Sequence, residues 1–472
     1  MSPLERAPLG LPNVPSRGPR RKAGPLLGML LALALAPALT GASAHAAPAP
    51  AEGGAAALRL DPARLVAVIA GVLEWKDPAL PPFSKHHRKD VELDALLAER
   101  GVPAERRTLL LDEAATAKAV KAALARAIAA TGPGDTLLFY FDGHGVKHPG
   151  GKIIFATADT RARAKSGLHL DELPPLFKGR FKGARVLLLA DCCHSGGLTA
   201  VAAALAAQGI ATATLTSAEM SNTSTANWTF TQALLDCLRG SPLCDANADG
   251  VTTLGEARGE ARETLLHREQ QVIGWANHGV PEGLVLAETR RDDPDLAPGQ
   301  PRRGEWVVVD HDGRSWPARI LGARGDALRV SLYDYSDELR LTVPAASVRT
   351  LSFQRWPVGA ALDVLWNGET YLARVEKVDG GLHFITYPGW PREWDEWVGP
   401  DRIVGEHRGD APAVKPVVTP AAPEKVEVEW KGKWWPAEVT GARGGKTCIH
   451  YTGFDASWDE CVPTTRLRRA AQ

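Results

Sequence analysis

The chain has 472 residues and balances 55 lysines and arginines against 55 aspartates and glutamates. A formal charge of zero gives no overall field that would attract nucleic acid or an anionic membrane, so neither is expected as a partner. The length exceeds what one hydrophobic core usually supports and predicts several domains. Beyond the N-terminal leader no run of about 20 apolar residues occurs, so we do not expect an integral membrane protein.

The N-terminus has the three parts of an export signal. A basic segment, Arg20–Lys22, precedes the apolar run Leu26–Ala36, and small residues suited to cleavage follow at Ala42–Ala46. The apolar run is too short to remain as a membrane anchor. We predict that residues 1–46 are a signal peptide and leader, and that the mature protein is periplasmic or extracellular. The alternative is a disordered tail rich in alanine and proline.

Strand-like and helix-like patterns alternate between residues 58 and 288. Leu65–Val72 and Thr108–Leu111 are β-rich apolar runs, whereas Arg88–Arg100 and Ala117–Ala130 carry their apolar residues on one side, as amphipathic helices do. This alternation predicts an α/β domain with a mostly parallel sheet flanked by helices.

Two of the predicted strands end in chemically reactive side chains. Val186–Ala190 leads into Cys193, and Asp135–Phe141 leads into His144, which precedes Cys193 by 49 residues. Because the carboxyl ends of parallel strands share one edge of a sheet, neighbouring strands would bring the two side chains together. A histidine beside a thiol increases the nucleophilic thiolate fraction and can give a proton to the leaving group.

The residues around this pair resemble a known family. The segments Y-F-D-G-H-G and D-C-C-H-S-G are similar to the histidine and cysteine boxes of caspase-like cysteine peptidases, and their spacing agrees. The second segment is closer to metacaspases and their bacterial relatives than to caspases. The resemblance covers about residues 60 to 288. It implies the caspase–haemoglobinase-like fold and cysteine endopeptidase activity, with no cofactor required for the chemistry.

The resemblance also implies roles for single residues. Cys193, directly before H-S-G, is the expected nucleophile, and His144 is the expected proton carrier. The backbone N–H of Gly145 is expected to help stabilise the oxyanion. Cys192 occupies a position where the family commonly has serine, and we expect it to be inert. A buried structural thiol is the alternative for Cys193.

Two acidic residues are candidates for substrate specificity. In metacaspases the aspartate two residues before the nucleophile helps to form an acidic S1 pocket, and Asp191 has that position here. The resemblance therefore implies cleavage after arginine or lysine. The family's further pocket acid matches only loosely, with Glu219 as the candidate. The alternative for Asp191 is a structural cap of the strand-to-loop turn.

The segment Asp245–Glu256 has the spacing of an EF-hand calcium loop, with glycine at its sixth position. The expected calcium ligands are Asp245, Asn247, Asp249, the carbonyl of Val251, and Glu256. Thr252 lies where an aliphatic residue is usual. The alternative is a turn that caps the helix beginning at Leu254.

A repeat follows the first of two proline-rich linkers, residues 290–303 and 411–423. The pattern Gly-x-x-Trp/Tyr-x-Ala-x-Ile/Val begins at Gly313, Gly368 and Gly432. Short alternating strands predict small five-stranded SH3-like barrels, which resemble Tudor, agenet and chromo-barrel modules. The three predicted barrels span residues 303–352, 357–406 and 424–469.

In Tudor-type modules an aromatic cluster can cage a methylated cation by cation–π attraction. The candidate residues are Tyr371, Tyr387, Trp390 and Trp394 in the second unit, and Trp435, Tyr451, Phe454 and Trp458 in the third. The alternative is that these rings form the cores of units too small to close without them. An exported protein would meet peptides or cell-surface polymers, which are therefore the expected ligands.

The repeat also suggests a disulfide. Aligning the second and third units places Cys448 and Cys461 at the positions of Phe384 and Trp397. Because both members of one cross-strand pair differ together, we predict a disulfide in place of an aromatic pair, as suits an oxidising compartment. A second candidate pair is Cys237 and Cys244.

The sequence thus predicts an exported caspase-fold cysteine endopeptidase that acts on polypeptides, with C-terminal barrels that bind the substrate or a partner. The rival hypothesis is a catalytically inactive caspase-fold scaffold that acts through its barrels. The intact cysteine and histidine boxes argue against the rival.

Overall fold

A computed structural model describes residues 58–472 except 87, 149–150, 162–165, 335–336, 367, 409–424, 431–432, 444–445, 453–459, 463–465 and 470–472. The predicted leader, residues 1–46, lies outside the described residues.

A six-stranded sheet forms the centre of the first domain. Its strands are β1 (Leu65–Gly71), β2 (Arg107–Leu111), β3 (Thr136–Asp142), β7 (Arg185–Asp191), β8 (Thr212–Thr216) and β10 (Gly274–His278). They lie in the order β10-β8-β7-β3-β1-β2, with only the β10–β8 pair antiparallel. The strands β1 and β3 are buried at every residue, which explains why their apolar runs do not alternate with polar residues.

Helices cover both faces of this sheet. They are α1 (Lys89–Glu99), α2 (Ala117–Ala130), α3 (Pro174–Phe177), α4 (Leu198–Ala206), α5 (Thr229–Leu238) and α6 (Leu254–Glu269). Alternate residues of each central strand enter two different cores, as successive side chains on a strand must. One core contains Val66 together with α2 and α4, and the other contains Ala67 together with α1, α5 and α6. The predicted α/β domain is confirmed.

Two smaller sheets decorate this domain. The strands β4 (Gly145–Lys147), β5 (Ile153–Phe155) and β6 (Leu168–His169) form one, and β9 (Val251–Thr253) and β11 (Val285–Glu288) form the other. None of the described helices is long and apolar enough to cross a membrane.

Three antiparallel five-stranded sheets follow, which we call modules 1, 2 and 3. Module 1 contains β12 (Trp306–His311), β13 (Arg314–Arg324), β14 (Ala327–Asp334), β15 (Asp337–Pro344) and β16 (Arg349–Thr350). Module 2 contains β17 (Ala361–Trp366), β18 (Glu369–Asp379), β19 (Leu382–Thr386), β20 (Glu396–Val398) and β21 (Ile403–Glu406). Module 3 contains β22 (Lys425–Trp430), β23 (Lys433–Arg443), β24 (Lys446–Tyr451), β25 (Glu460–Val462) and β26 (Leu467–Arg469).

The modules share one topology. In each, the fifth strand returns to pair with the first, and each module has its own hydrophobic core. The ladder between the second and third strands also shifts register at the equivalent place, before Gly322, Lys377 and Gly441. The three predicted repeat units therefore correspond to three small β-sheet modules.

The structure describes the two predicted cysteine pairs to different extents. Cys237 and Cys244 form a disulfide at the end of α5. In module 3 the backbone places Cys448 directly opposite Cys461, but their side chains lie outside the described part of the chain. The equivalent pair of module 2 comprises Phe384 and Trp397, whose ring centres lie 5.5 Å apart.

Candidate active site

The central sheet brings the predicted histidine and cysteine segments to one edge. The strands β3 and β7 are neighbours, with Asp142 directly opposite Asp191, and His144 and Cys193 each follow two residues later. The N–H of Gly143 donates to the carbonyl of Asp191 at 3.4 Å, so the two segments remain together as they leave the sheet.

The two segments also touch at Gly145. A Cβ atom on Gly145 would lie 1.7 Å from the carbonyl oxygen of Cys193 and 3.1 Å from the sulfur of Cys192. Any larger residue would push the histidine segment away from the cysteine segment. The glycine predicted as an oxyanion donor is therefore the residue that permits their close approach.

The two adjacent thiols have different environments. Cys193 is half-buried, and its sulfur contacts the main chain of Ser224 twice, accepting the N–H at 3.3 Å and donating to the carbonyl at 3.7 Å. Cys192 is only 3% exposed and packs in a hydrophobic core, where burial raises the pKa of its thiol well above the ordinary value. Cys193 is thus the accessible sulfur of the two.

The imidazole of His144 is held by groups that the sequence did not single out. Its Nε2 lies 3.0 Å from the carbonyl oxygen of Pro81. Since a carbonyl can only accept, Nε2 is the donor in this contact, and Nδ1 is the ring nitrogen that can take up a proton in the neutral form. The ring packs against Trp75 and Phe83, with centres 4.5 and 4.4 Å away. The only sequence signal for this support was a group of aromatic residues in the segment between β1 and α1.

Asp191 is buried and caps a helix. It is 1% exposed, and its Oδ2 accepts the N–H of Thr231 at 3.1 Å and the hydroxyl of Thr231 at 2.7 Å. Thr231 lies in the first turn of α5, and Trp228, the N-cap residue that precedes this helix, provides no side-chain cap. Burial raises the pKa of Asp191 to about 6. These contacts match the structural alternative, although the capped element is a helix and not the strand-to-loop turn.

Two further carboxyl groups lie beside Asp191. Asp142 is 1% exposed, and its Oδ1 has no hydrogen-bond partner among the described residues. Burial, followed by repulsion from Asp90 and Asp191, raises the pKa of Asp142 well above its ordinary value. Asp90 meets Asp142 over Gly71, because a Cβ there would lie 1.6 Å from one carboxyl and 2.6 Å from the other. Arg88 binds Asp90 through Nε and Nη2, while its Nη1 binds Asp112.

The sequence missed Asp142 and Asp90. Asp142 gave a usable signal, since it ends an apolar strand just as Asp191 does. Each of these aspartates lies two residues before its catalytic candidate, His144 or Cys193. Asp90 gave none, because it lies in the first turn of an ordinary amphipathic helix.

Glu219 is not brought to Asp191. Its Oε2 accepts the N–H and the hydroxyl of Ser221 at 2.8 and 2.7 Å, which closes its own loop. It lines a cavity of about 570 Å³ together with Arg258 and Trp275, and Asp191 does not line this cavity. Among the described residues no contact joins Glu219 to Asp191, and the part of Glu219 in a substrate pocket stays a prediction.

The acidic loop before α6 closes on itself. Asp245 accepts the N–H groups of Asp249 and Gly250 at 3.1 and 3.0 Å, and Glu256 forms a capping box with Thr253 at the start of α6. Among the described residues, no group of three or more His, Cys, Asp or Glu is arranged to hold a metal ion. This arrangement matches the helix-capping alternative, and calcium at the loop stays a prediction.

Module 2 carries an open box of aromatic rings, which we call the aromatic box. Its walls are Trp366, Tyr371, Tyr387, Trp390 and Trp394, with Glu396 at one side. Neighbouring rings meet nearly at right angles, for example Tyr371 and Trp390 at 85° with centres 6.0 Å apart. Trp390 and Trp394 are 48% and 39% exposed, whereas Tyr387 is buried in the core of the module. Four of the rings were expected, and Trp366 was missed.

The cluster expected in module 3 is only partly described. Trp435 and Tyr451 are buried in the core of that module, at 7% and 6% exposure. Phe454 and Trp458 lie outside the described residues. For the two residues described, the core alternative holds.

Comparison with known proteins assigns the first domain. Residues 87–270, from just before α1 to just after α6, match the family model of the caspase domain. Similar solved structures include a protein from Geobacter sulfurreducens, with 19% identity over 48% of this chain and 100% of that chain, at a TM-score of 0.36. Caspase-1 from Spodoptera frugiperda is 14% identical over 52% of this chain and 98% of that chain, at 0.31. The Drosophila initiator caspase Dronc is 11% identical over 47% and 82%, at 0.30.

Because these TM-scores are below 0.5, the assignment of the caspase-like domain is based on the family match alone. None of the curated proteins compared with the chain matches it. The family match covers the helices and strands that bring the histidine and cysteine segments to one sheet edge. Residues 87–270 of the chain therefore form a caspase-like domain.

Proposed function

We propose that the protein is a cysteine endopeptidase in which Cys193 attacks the substrate and His144 transfers protons. One observation carries the proposal: the histidine segment, with its imidazole fixed on Pro81, packs through Gly145 against the backbone of Cys193. A nucleophile and a base whose segments are held together by one backbone contact would need little further ordering for reaction, which would lower the entropic part of the barrier.

The reaction would proceed in two steps. Nδ1 of His144 takes the thiol proton, and the sulfur of Cys193 forms a bond to the scissile carbonyl carbon. The peptide C–N bond then breaks, and the imidazolium gives its proton to the departing amine. Water, deprotonated by the same nitrogen, hydrolyses the acyl-enzyme. The N–H groups of Gly145 and Cys193 are the proposed oxyanion donors.

We further propose that the substrate residue before the cleaved bond is arginine or lysine. The support is a group of three buried carboxyls. Asp90 lies in the first turn of α1, and Asp142 and Asp191 end the neighbouring strands β3 and β7. Arg88 compensates only part of their charge, because its guanidinium is shared between Asp90 and Asp112. A cationic side chain entering from the substrate would supply the missing positive charge.

Peptides with a fluorogenic group after arginine, lysine or aspartate test this proposal. We expect cleavage of the basic peptides, loss of cleavage in Cys193→Ala, and retention in the matched control Cys192→Ala. Mass spectrometry after treatment with iodoacetamide should find a single carbamidomethyl group on residue 193. Absence of both cleavage and labelling in the wild-type protein would favour the inactive scaffold.

For the modules we propose binding of a peptide or cell-surface polymer through a cationic group held in the aromatic box. Perpendicular ring faces beside a carboxylate suit a quaternary or methylated ammonium. Export is also proposed, and the Cys237–Cys244 disulfide supports it, because disulfides persist mainly in oxidising compartments.

Calcium binding remains a smaller proposal. Its support is that the loop turns at Gly250 with φ +93° and continues into β9 at Val251, as the sixth and seventh positions of a calcium loop do. Calorimetric titration of wild-type protein and Asp249→Ala with calcium chloride tests it. Heat of binding that persists unchanged in the variant would exclude this loop.

A further inference from the structure

The loop between β8 and α5, residues 217–228, holds the nucleophile segment in place. The N–H of Ser224 lies 3.3 Å from the sulfur of Cys193. The carbonyl of Asn222 accepts the N–H of His194, the residue after the nucleophile, at 2.9 Å. Nδ1 of His194 donates to the carbonyl of Met220 at 3.0 Å. The loop therefore fixes both the sulfur and the backbone that follows it.

This backbone needs such support. His194 has φ +55°, in the left-handed region that side chains other than glycine rarely adopt. A residue other than glycine keeps that strained conformation only where neighbouring contacts hold it there. The bonds to Asn222 and Met220 are those contacts, so a mobile loop would release His194 and shift Cys193.

The side chain of Asn222 extends from this loop to module 2. Its Nδ2 donates to the carbonyl of Trp397 at 2.9 Å, and its Oδ1 accepts the N–H of Trp397 at 3.3 Å. Trp397 lies on β20, which is an edge strand of its sheet in the part of the chain that the structure describes. The amide of Asn222 therefore pairs with the edge of module 2 as one residue of a further strand would.

The anchor point on module 2 is rigid. On its inner side β20 pairs with β19, with Trp397 opposite Phe384. The preceding residue, Glu396, accepts the hydroxyl of Tyr387 at 2.9 Å and forms an ion pair with Arg402 at 2.7 Å. Since both sides of Trp397 are fixed, its main chain offers Asn222 a preorganised partner.

Other contacts of module 2 with the caspase-like domain go to α6 and the residue after it. Arg262 pairs with Asp379, and the N–H of Asp401 donates to the side chain of Gln270 at 3.2 Å. These contacts dock the module without touching the nucleophile. Among the described residues, the Asn222–Trp397 pair is the hydrogen-bonded link from module 2 to the loop at Cys193.

We propose that module 2 braces the peptidase site and that Asn222 is the positioning residue through which it acts. This inference rests on the proposed endopeptidase function and assigns module 2 a part in it beyond ligand binding. Loss of the Asn222 side chain would leave the module docked by α6 but free the loop. Ser224 would then no longer hold its N–H against the sulfur, and His194 would relax from its left-handed conformation.

The test compares Asn222→Ala, Asn222→Asp and the docking control Arg262→Ala in the full-length protein. The aspartate variant keeps the acceptor for the N–H of Trp397 but loses the donor to its carbonyl. We measure kcat and KM on a basic peptide, the pH profile of Cys193 alkylation by iodoacetamide, and the melting temperature.

We expect Asn222→Ala to lower kcat by about tenfold or more with little change in KM, since the loop positions the nucleophile and not the substrate. The rate and pH profile of its alkylation should also differ from wild type, because the sulfur loses both its N–H donor and its carbonyl acceptor at Ser224. Asn222→Asp should lie between wild type and Asn222→Ala, and Arg262→Ala should keep wild-type kcat.

Wild-type kcat and alkylation in Asn222→Ala would overturn the brace, as would an equal loss in Arg262→Ala, which would indicate docking alone. If the wild-type protein cleaves no peptide, the proposed function fails, but the alkylation profiles still decide whether Asn222 positions Cys193.

Discussion

Asp142 and Asp191 lie directly opposite each other at the carboxyl ends of β3 and β7, so two buried carboxyl groups meet at the base of the loops carrying His144 and Cys193. Ordinary cores avoid such a pair, because burial and mutual repulsion both disfavour the charged forms. Here the pKa of Asp142 is raised well above its usual range and that of Asp191 to about 6. The arrangement costs stability at neutral pH, which is a common property of functional sites.

The first prediction concerns Asp191→Asn and the dependence of stability on pH. Folding raises the pKa of Asp191 from 3.8 to about 6, so the folded state binds more protons than the unfolded state between these values. This contribution to stability is complete below the pKa of the unfolded state, 3.8, and is lost as the pH rises through the pKa of the folded state, about 6. Between about pH 4.5 and 7.5 it amounts to about 2 kcal/mol of unfolding free energy.

Asparagine keeps the acceptor for both bonds from Thr231 but does not titrate in this range. We therefore expect urea denaturation to show a fall in unfolding free energy over this pH range that is about 2 kcal/mol smaller in Asp191→Asn. The control is Asp249→Asn, an exposed carboxyl of the calcium-like loop. Equal pH dependence in wild type and Asp191→Asn would show that Asp191 is not a buried titrating group.

The second prediction concerns Phe83, whose ring packs on His144 with centres 4.4 Å apart and also touches Trp75 and Trp228. Removing the ring in Phe83→Ala would let the imidazole rotate away from the bond between its Nε2 and Pro81. We expect kcat to fall by about tenfold, because a base that leaves its productive orientation loses part of its advantage.

Phe83→Leu, which keeps an apolar side chain against the imidazole, should recover part of that loss. The matched control is Phe181→Ala, since Phe181 packs against Phe177 on another part of the domain. Unchanged kcat in Phe83→Ala would indicate that Pro81 alone orients His144.

The sequence predicted which strand ends carry His144 and Cys193 more completely than it predicted the contacts around these residues. The end of a strand follows from its local apolar run. The placement of His144 after β3 and of Cys193 after β7 could therefore be predicted from spacing and resemblance. The partners of these side chains come from segments far along the chain, such as Pro81 for His144 and Thr231 for Asp191. No local pattern encodes these contacts. Glu219, the expected second pocket acid, binds Ser221 within its own loop, a contact that the sequence pattern did not predict.

The repeat was read more reliably. Its units have equivalent strands, and the alignment that placed Cys448 with Phe384 and Cys461 with Trp397 agrees with the strand register of both modules. The role of each aromatic cluster could not be predicted from the repeat, because the two clusters differ in solvent exposure and not in their sequence pattern. Trp390 is 48% exposed, whereas Tyr451 is 6% exposed.

The third prediction is a disulfide between Cys448 and Cys461. The backbone pairs these residues directly across β24 and β25, and cross-strand partners lie at a separation that a disulfide can span. Digestion without reductant should release one linked peptide pair that contains both cysteines, besides the pair linked by Cys237 and Cys244. Two alkylatable thiols at 448 and 461 in protein prepared under oxidising conditions would contradict it.

The fourth prediction concerns ligand binding by module 2. Trp390 and Trp394 form the exposed wall of the aromatic box, with ring centres 5.6 Å apart, and Tyr371 closes the adjoining side. A trimethyllysine peptide should bind more tightly than the same peptide with unmodified lysine, because the methylated ammonium is more easily removed from water and fits against the ring faces.

In Trp390→Ala the affinity for the trimethyllysine peptide should fall by about tenfold, within the range that loss of one cation–π contact produces. Leu365→Ala is the matched control, since Leu365 is 40% exposed on the same module but does not line the box. Titration followed by tryptophan fluorescence or calorimetry measures both variants. Equal affinity for the two peptides, or no effect of Trp390→Ala, would assign the rings to folding of the module and not to recognition of a cation.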